Sequence, residues 1–577
     1  MGRQHGRKPC GPTGQATGID LLQLCVELGY LASNEQRCAV SSVCRTLNAL
    51  CRAQVEQLSM PLGLSSLSCL TQLQQLAVLV QSPGMPTAPP GLLPFPAAAA
   101  TSWQPGISRA LSSLQHLTQL KHLQLRFVCG ERGYFMCPAF LPIASSLVQL
   151  THLDLGYVEV TPAALAGLAQ LQQLQCLTLY GSLSGLSAQD YGCLSSLRSL
   201  QRLEMFHDWP PASDDAAEPE DHVLDAQQLQ QLGVALGCLT QLSWLNLPMS
   251  RGSSALLPLL QKLPALRQLY LQSIERHQVE VPIASFAAAA QQLRVLQMDN
   301  VRLTAQGLAS IAKLTQLQQL TLFNLSLDVD LGMQQCLTQL SQLSQLQQLC
   351  FDSLASEGPP SPAVLDNAAL SVLVQHWRSL RSLHISYTAL PEAANMLLTS
   401  LAGLEACTNL SLYRFQTEGA AQREVVVDAA QMPPRLQSLC LCTLTLRNAQ
   451  LLPQTLEHLW FTDVSTPDLN PAAPQNPDPA HHLNLGHTLA GRLPLLLTLV
   501  LRCAGPGGPP SVTTASLAAI AAGSGLGLQQ LLQQAMPRVT VRPATNDWFW
   551  GTNFPLGSCL NTENPMEWWK FTAWTIL

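Results

Sequence analysis

Histidine, cysteine and the carboxylates can carry proton transfer, nucleophilic attack or metal ligation, so their placement sets the first limits on this 577-residue chain. His122, His152, His384 and His458 stand at matching places in short leucine-bounded phrases, with no acid or nucleophile fixed beside them by a recurring spacing. Cys38, Cys44 and Cys51 lie close together among the 18 cysteines, but they have no CxxC spacing and no histidine nearby to complete a zinc set. Asp208, Asp214, Asp215, Glu218, Glu220 and Asp221 crowd one proline-rich segment without the spacing of metal ligands, which reads as a solvated acidic loop. HExxH, GxSxG and phosphate-loop patterns are absent, and "GSGLG" at 523–527 lacks the GxGxxG spacing. The sequence points away from an enzyme, a metal and a cofactor.

Recognition chemistry remains. Tyr180, Arg202, Phe206, Trp244 and Tyr270 are the residue types that dominate protein interfaces, in a chain with only 5% aromatic residues. They sit in a repeated phrase whose leucines step by three, three and two. It reads "LTQLKHLQL" at 117–125, "LVQLTHLDL" at 147–155, "LTQLSWLNL" at 239–247, "LPALRQLYL" at 263–271 and "WRSLRSLHI" at 377–385. A helix repeats at about 3.6 residues and a strand at 2, so one regular element cannot hold the whole phrase. The two-step end predicts a short strand, as at His122–Arg126 and Gln319–Phe323; "TAQGLASIAKL" at 304–314 predicts a helical return. Alternation on the strands turns Arg202, Glu204 and Phe206 away from the leucines, with Tyr180 beside Phe206, Trp244 beside Arg202 and Tyr270 one strand on.

Anchoring each phrase on the leucine before the two-step gives positions from Leu76 to Val539, at intervals of mostly about 24 to 30 residues. On this basis the chain resembles the leucine-rich-repeat family over Leu67–Val541. The resemblance implies an α/β fold: a horseshoe solenoid with a parallel concave sheet, preceded by a small helical domain. It also implies a protein partner on the concave face, where strand alternation and residue type offer Tyr180, Arg202, Phe206, Trp244 and Tyr270 as the gripping patch. The family phrase usually places Asn or Cys three residues past the last strand leucine. Here that slot holds Val128, Val158, Val301, Leu325 and Leu444, among others, so an asparagine ladder is missing. Regular curvature is not assured through Met432–Phe461, where two phrases follow closely.

The expected organisation is a disordered tail at 1–18, a helical domain at 19–60, the solenoid at 61–542 and a Trp-rich end at 543–577. Proline-rich inserts interrupt the solenoid at 81–106, 208–222 and 464–480. In the helical segment, Ser33–Gln36 forms a capping box before a helix with Val40, Val43, Cys44, Leu47, Leu50 and Cys51 on one face. Tyr30, Leu31, Val43, Cys44 and Arg45 resemble the "YL…VCR" signature of an F-box, although Ile19–Asp20 replaces its opening Leu-Pro and Leu47 fills its tryptophan slot. An F-box implies docking to a Skp-type adaptor through Leu22, Leu28, Leu31, Val43, Cys44 and Leu47. The same helices also suit a cap over the first repeat's open core.

Charged residues are 11% of the chain, well below the usual ~25%, and net charge is −6, which offers no broad basic field for nucleic acid. The longest apolar run, "LPLLLTLVL" at 493–501, is too short to span a membrane. No secretory signal precedes the cysteines, which read as reduced small apolar residues of a cytoplasmic or nuclear protein. Gly6 breaks the myristoylation pattern. Residues 1–18 hold Arg3, Arg7 and Lys8 without an acid, a faint transit-peptide composition whose alternative is the disordered tail. Trp548, Trp550, Trp568, Trp569 and Trp574 crowd the end, as a closing cap, a mistranslated or mis-spliced terminus, or an aromatic binding tail. An F-box before leucine-rich repeats implies the substrate receptor of a cullin-type ubiquitin ligase; the alternative is a scaffold associated with cytoskeleton or axoneme.

Overall fold

The computed structural model describes residues 57–60, 74–81, 113–128, 135–136, 146–156, 158–180, 186–206, 226–249, 257–273, 279–280, 290–323, 326–327, 333–352, 367–388, 396–398, 401–415, 425–442, 444–462, 493, 498–502 and 540–541. The chain divides into two compact units, Met1–Leu242 and Ser243–Leu577. The helical segment's docking residues Leu22, Leu28, Leu31, Val43, Cys44 and Leu47, the insert at 208–222, nearly all of those at 81–106 and 464–480, and the Trp-rich end lie outside the described residues.

In the first unit six strands pair in parallel: β1 (Gln57–Met60), β2 (Gln75–Gln81), β3 (His122–Val128), β4 (His152–Gly156), β5 (Cys176–Tyr180) and β6 (Arg202–Phe206). The second unit has β7 (Trp244–Met249), β8 (Gln268–Ser273), β9 (Val295–Asp299), β10 (Gln319–Phe323) and β11 (Gln348–Asp352). It continues through β12 (Ser382–Thr388), β13 (Asn409–Phe415), β14 (Ser438–Cys442), β15 (His458–Thr462), β16 (Thr498–Arg502) and β17 (Thr540–Val541).

The anchoring leucines pair with one another. Leu76, Leu123, Leu153, Leu177 and Leu203 form one line, and Leu245, Leu269, Leu296, Leu320, Leu349, Leu383, Leu410, Leu439, Leu459 and Leu499 form the other. Two ends differ from the sequence reading. β1 pairs Leu58 with Leu76, which puts a strand inside the segment expected to be helical. At the other end Leu499 pairs with Val541 rather than with Val539. "MPRVTV" offers valines at both positions, and a slip of two residues keeps the same face buried, so hydrophobic pattern alone does not choose between them.

Hydrogen bonds explain the leucine spacing of three. Leu314 N–H donates to the Ile311 oxygen and Leu317 N–H to the Leu314 oxygen, each at 2.9 Å. Leu117 to Leu114 and Leu120 to Leu117, like Leu171 to Leu168 and Leu174 to Leu171, repeat the arrangement. These are turns of three residues, so each leucine sits over the previous one and both face the interior. The chain then enters the strand. One carbonyl of the preceding coil accepts two N–H groups there, as Arg294 O does from Gln318 at 2.8 Å and Gln319 at 3.0 Å. Leu308, Ile311, Leu314, Leu317, Leu320 and Leu322 are all fully buried, each worth roughly 1.5–3 kcal/mol of transfer from water.

Short helices return the chain where length allows: α1 (Pro162–Leu168), α2 (Ala226–Leu236), α3 (Ala305–Ile311), α4 (Met333–Leu340) and α5 (Asn367–His376). Thr161 and Thr304 cap α1 and α3, each hydroxyl accepting an N–H three residues on. Around Met432–Phe461 the returns shrink to single turns at Ala429–Gln431 and Ala449–Leu451, while Leu439 and Leu459 stay paired.

The slot that lacks asparagine also finds a use. Val301 and Leu444 are buried there, and the chain around the bend runs into secondary parallel ladders. One joins Val279–Glu280, Val301–Leu303 and Ser326–Leu327; another joins Met396–Leu398, Val425–Asp428 and Thr445–Arg447. These ladders take main-chain groups that an asparagine side chain would otherwise have to satisfy. Asn300 turns β9 into this ladder with φ of 54°, a left-handed conformation that asparagine tolerates better than most residues.

Candidate functional site

Alternation along each strand sends the paired leucines inward and leaves the residues before, between and after them on the sheet's open face. In the first unit one row of that face is His122, His152, Cys176 and Arg202, and the next is Gln124, Asp154, Thr178 and Glu204. The imidazoles of His122 and His152 stack at 4.1 Å between centroids, nearly parallel at 19°. Gln124 Nε2 donates to Asp154 Oδ2 at 2.6 Å, and the Thr151 hydroxyl meets His152 Nδ1 at 2.9 Å. Arg202 donates through Nε at 2.6 Å and also through Nη2 to one oxygen of Glu204, whose side chain is buried.

This patch is polar but restrained. Burial lowers both histidine pKa values, helped by Lys121 beside His122 and by His122 and Arg202 beside His152. Burial raises the Cys176 thiol, Arg202 working against that and Glu204 with it, so this sulfur is not an activated thiolate. Among the described residues no group of three or more His, Cys, Asp or Glu side chains is placed to hold a metal ion.

In the second unit β7, β8 and β9 stand in register: Asn246 pairs with Tyr270, and Tyr270 with Gln297. The Trp244 and Tyr270 rings approach to 4.7 Å, tilted by 34°. At 6% and 5% exposure they are not the exposed aromatics that the spacing suggested. Alternation fixes which side a residue takes, whereas register sets large rings on adjacent strands against each other, and each shields its neighbour.

The open face there also carries features that the leucine pattern does not signal. Asn246 is 3% exposed and Gln297 6%, and among the described residues neither Asn246 Oδ1 nor Gln297 Oε1 accepts a hydrogen bond. Asp299, two residues beyond Gln297 on the same face, is the one charged side chain described on this face of β7 to β10. Burial raises its pKa to about 6, opposed by a hydrogen bond from the Asn300 backbone.

Of the remaining expected recognition residues, Tyr180 and Phe206 are strand-to-strand partners in the backbone register. Arg202 is committed to Glu204 on its own strand, a pairing foreshadowed by opposite charges two residues apart. The expected neighbours Arg202 and Trp244 fall in different units. Elsewhere on the face His384 is half-buried, and desolvation lowers its pKa to about 4.

No family model matches the chain, and no curated protein matches it. Among solved structures it is similar to an internalin from Listeria monocytogenes at 17% identity, covering 63% of this chain and 79% of that one, with a TM-score of 0.32. A leucine-rich-repeat protein from Leptospira interrogans gives 13% identity, 86% and 98% coverage and a TM-score of 0.34. Paired leucines in parallel strands, with a bent return between each pair, define the architecture. The fold is a leucine-rich-repeat solenoid. The side chains on its open face come from many coils, each supplying two or three positions. No helix among the described residues is long and apolar enough to cross a membrane.

Proposed function

We propose that the solenoid is a protein-binding module, and that it selects substrates for a cullin-type ubiquitin ligase. The observation that supports binding is the in-register open face, where part-exposed side chains from consecutive coils form continuous rows, such as His122, His152, Cys176 and Arg202. Such rows suit an extended protein surface. The ligase assignment rests on the F-box-like residues Tyr30, Leu31, Val43, Cys44 and Arg45, with a Skp-type adaptor as the expected partner.

Co-purification of the full chain with a Skp-type adaptor tests the assignment. The wild type should hold the adaptor, and Val43→Asp with Leu47→Asp should release it without altering the melting of the solenoid. A folded wild type that captures no adaptor would leave a scaffold as the reading, with the two helices as a cap.

A further inference from the structure

The bends by which the chain enters β8 to β12 carry a charge pattern of their own. Residues two places before the anchoring leucines are joined by main-chain hydrogen bonds. Arg294 N–H donates to the Arg267 oxygen, Gln318 to Arg294, Gln347 to Gln318 and Arg381 to Gln347, each at 2.7 or 2.8 Å. Arg267, Arg294 and Arg381 therefore stand in one line along the stack. Lys262 and Lys313 precede the first buried leucine of their bends, and Arg378 follows Trp377, which takes that leucine's place two coils beyond Lys313. Lys262, Arg294, Lys313, Arg378 and Arg381 are exposed, while Arg267 is half-buried with Nη1 held by the Pro264 and Leu266 oxygens at 3.1 and 3.0 Å.

No described carboxylate lies on these bends. Asp299 is at the far end of β9, and the next described acid along the entry side is Glu405, before β13. Among the described residues none of these cations pairs with a carboxylate. The chain as a whole has net charge −6, so this rim reverses its sign locally. Like charges on neighbouring coils repel, and a line of them kept without an internal counter-charge is complementary to an acidic surface. From Arg267 to Arg381 the line crosses β8 to β12, roughly 20 Å at about 4.8 Å per strand, which an extended segment of about six residues would cover. Exposed Gln316 and Gln345, at matching places on the bends between, offer both donors and acceptors to a peptide main chain. The one Phe, Tyr or Trp described on these bends, Trp377, is buried, so base stacking has no platform, and the overall negative charge opposes a nucleic acid.

We propose that this basic rim receives an extended acidic segment of a protein partner, its carboxylates meeting the arginine line. The inference rests on the protein-binding reading and adds the partner's chemistry.

Fluorescence anisotropy on the full chain tests it with two labelled, amidated peptides, one of alternating glutamate and serine, the other with glutamine for glutamate. At low salt the acidic peptide should bind about tenfold tighter, and added salt should erase the difference. Arg294→Gln with Arg381→Gln should weaken the acidic peptide severalfold. Arg447→Gln, which removes an exposed cation from the ladder after β14, should not. Equal binding of the two peptides, no binding of either, or an equal loss from Arg447→Gln would overturn the site. An oligothymidylate of matching length that binds more tightly than the acidic peptide would overturn it too, and make the rim a nucleic-acid surface. If the double variant melts early, Lys262→Gln with Lys313→Gln decides the question. A protein partner held equally by wild type and double variant would sink the acidic-segment site while leaving the protein-binding reading standing.

Discussion

Trp377 donates its indole N–H to the main-chain oxygen of Leu343 at 3.0 Å, joining the same position of two consecutive coils. Trp377 occupies the first leucine place of its phrase and is fully buried. Trp377→Phe keeps a ring in the core but leaves the Leu343 oxygen without this donor. That oxygen still accepts the Leu346 N–H at 3.1 Å, so the loss should be about 0.5–1.5 kcal/mol in urea unfolding. Trp377→Leu, which restores the common residue, should lose more because a cavity is added. If Phe proves neutral, the hydrogen bond contributes nothing to the joint.

Leu320 is fully buried between Leu296 and Leu349, whereas Gln319 beside it is half-buried on the open face. Leu320→Ala should destabilise by about 2–5 kcal/mol and Gln319→Ala by less than about 0.5. Comparable shifts in denaturation midpoint would contradict the register.

The Thr304 hydroxyl accepts the Gly307 N–H at 3.1 Å and starts α3. Thr304→Ala should cost about 1 kcal/mol, and Thr304→Ser should recover most of it. Serine behaving like alanine would show that the hydroxyl's bond is not what matters there.

His384 is held neutral by burial, with its pKa down at about 4 against 6.5 for a free imidazole. In that interval the unfolded chain binds a proton that the folded chain does not, so stability falls as pH drops from 6.5 towards 4. His384→Gln should flatten that part of the pH–stability curve by on the order of 2–3 kcal/mol. The variant curve running parallel to wild type would rule out this contribution.

Asp299 has the opposite sign. Its pKa is raised from 3.8 to about 6, so the folded chain holds a proton longer and stability declines as pH rises through that interval. At pH 7 Asp299→Asn should stabilise the fold by on the order of 1–3 kcal/mol, with no gain below pH 4. A uniform gain at both pH values would mean that ionisation of Asp299 is not the cause.

The repeat was legible because leucine spacing is a direct image of its geometry. Steps of three are three-residue turns and the step of two is a strand, so Leu123 through Leu499 fall in line without a structure. Legibility fails where leucines thin out, at Gln57–Met60 and at Val541. It also fails for depth: alternation placed Trp244 and Tyr270 on the open side, but their mutual shielding depends on register across strands far apart in sequence. Asn246 and Gln297 gave no signal, because an amide reads as ordinary solvent-facing residue until its burial is seen.

The pairing of Leu439 with Leu459 across a short return, in the same ladder as Leu349 with Leu383 across a much longer one, has a bearing on ancestry. Because the strand register does not depend on what lies between strands, a gene of this kind can lengthen, shorten or exchange whole return segments without disturbing its neighbours. Novelty can accumulate on the backs of individual coils while the reading frame of the sheet is inherited intact.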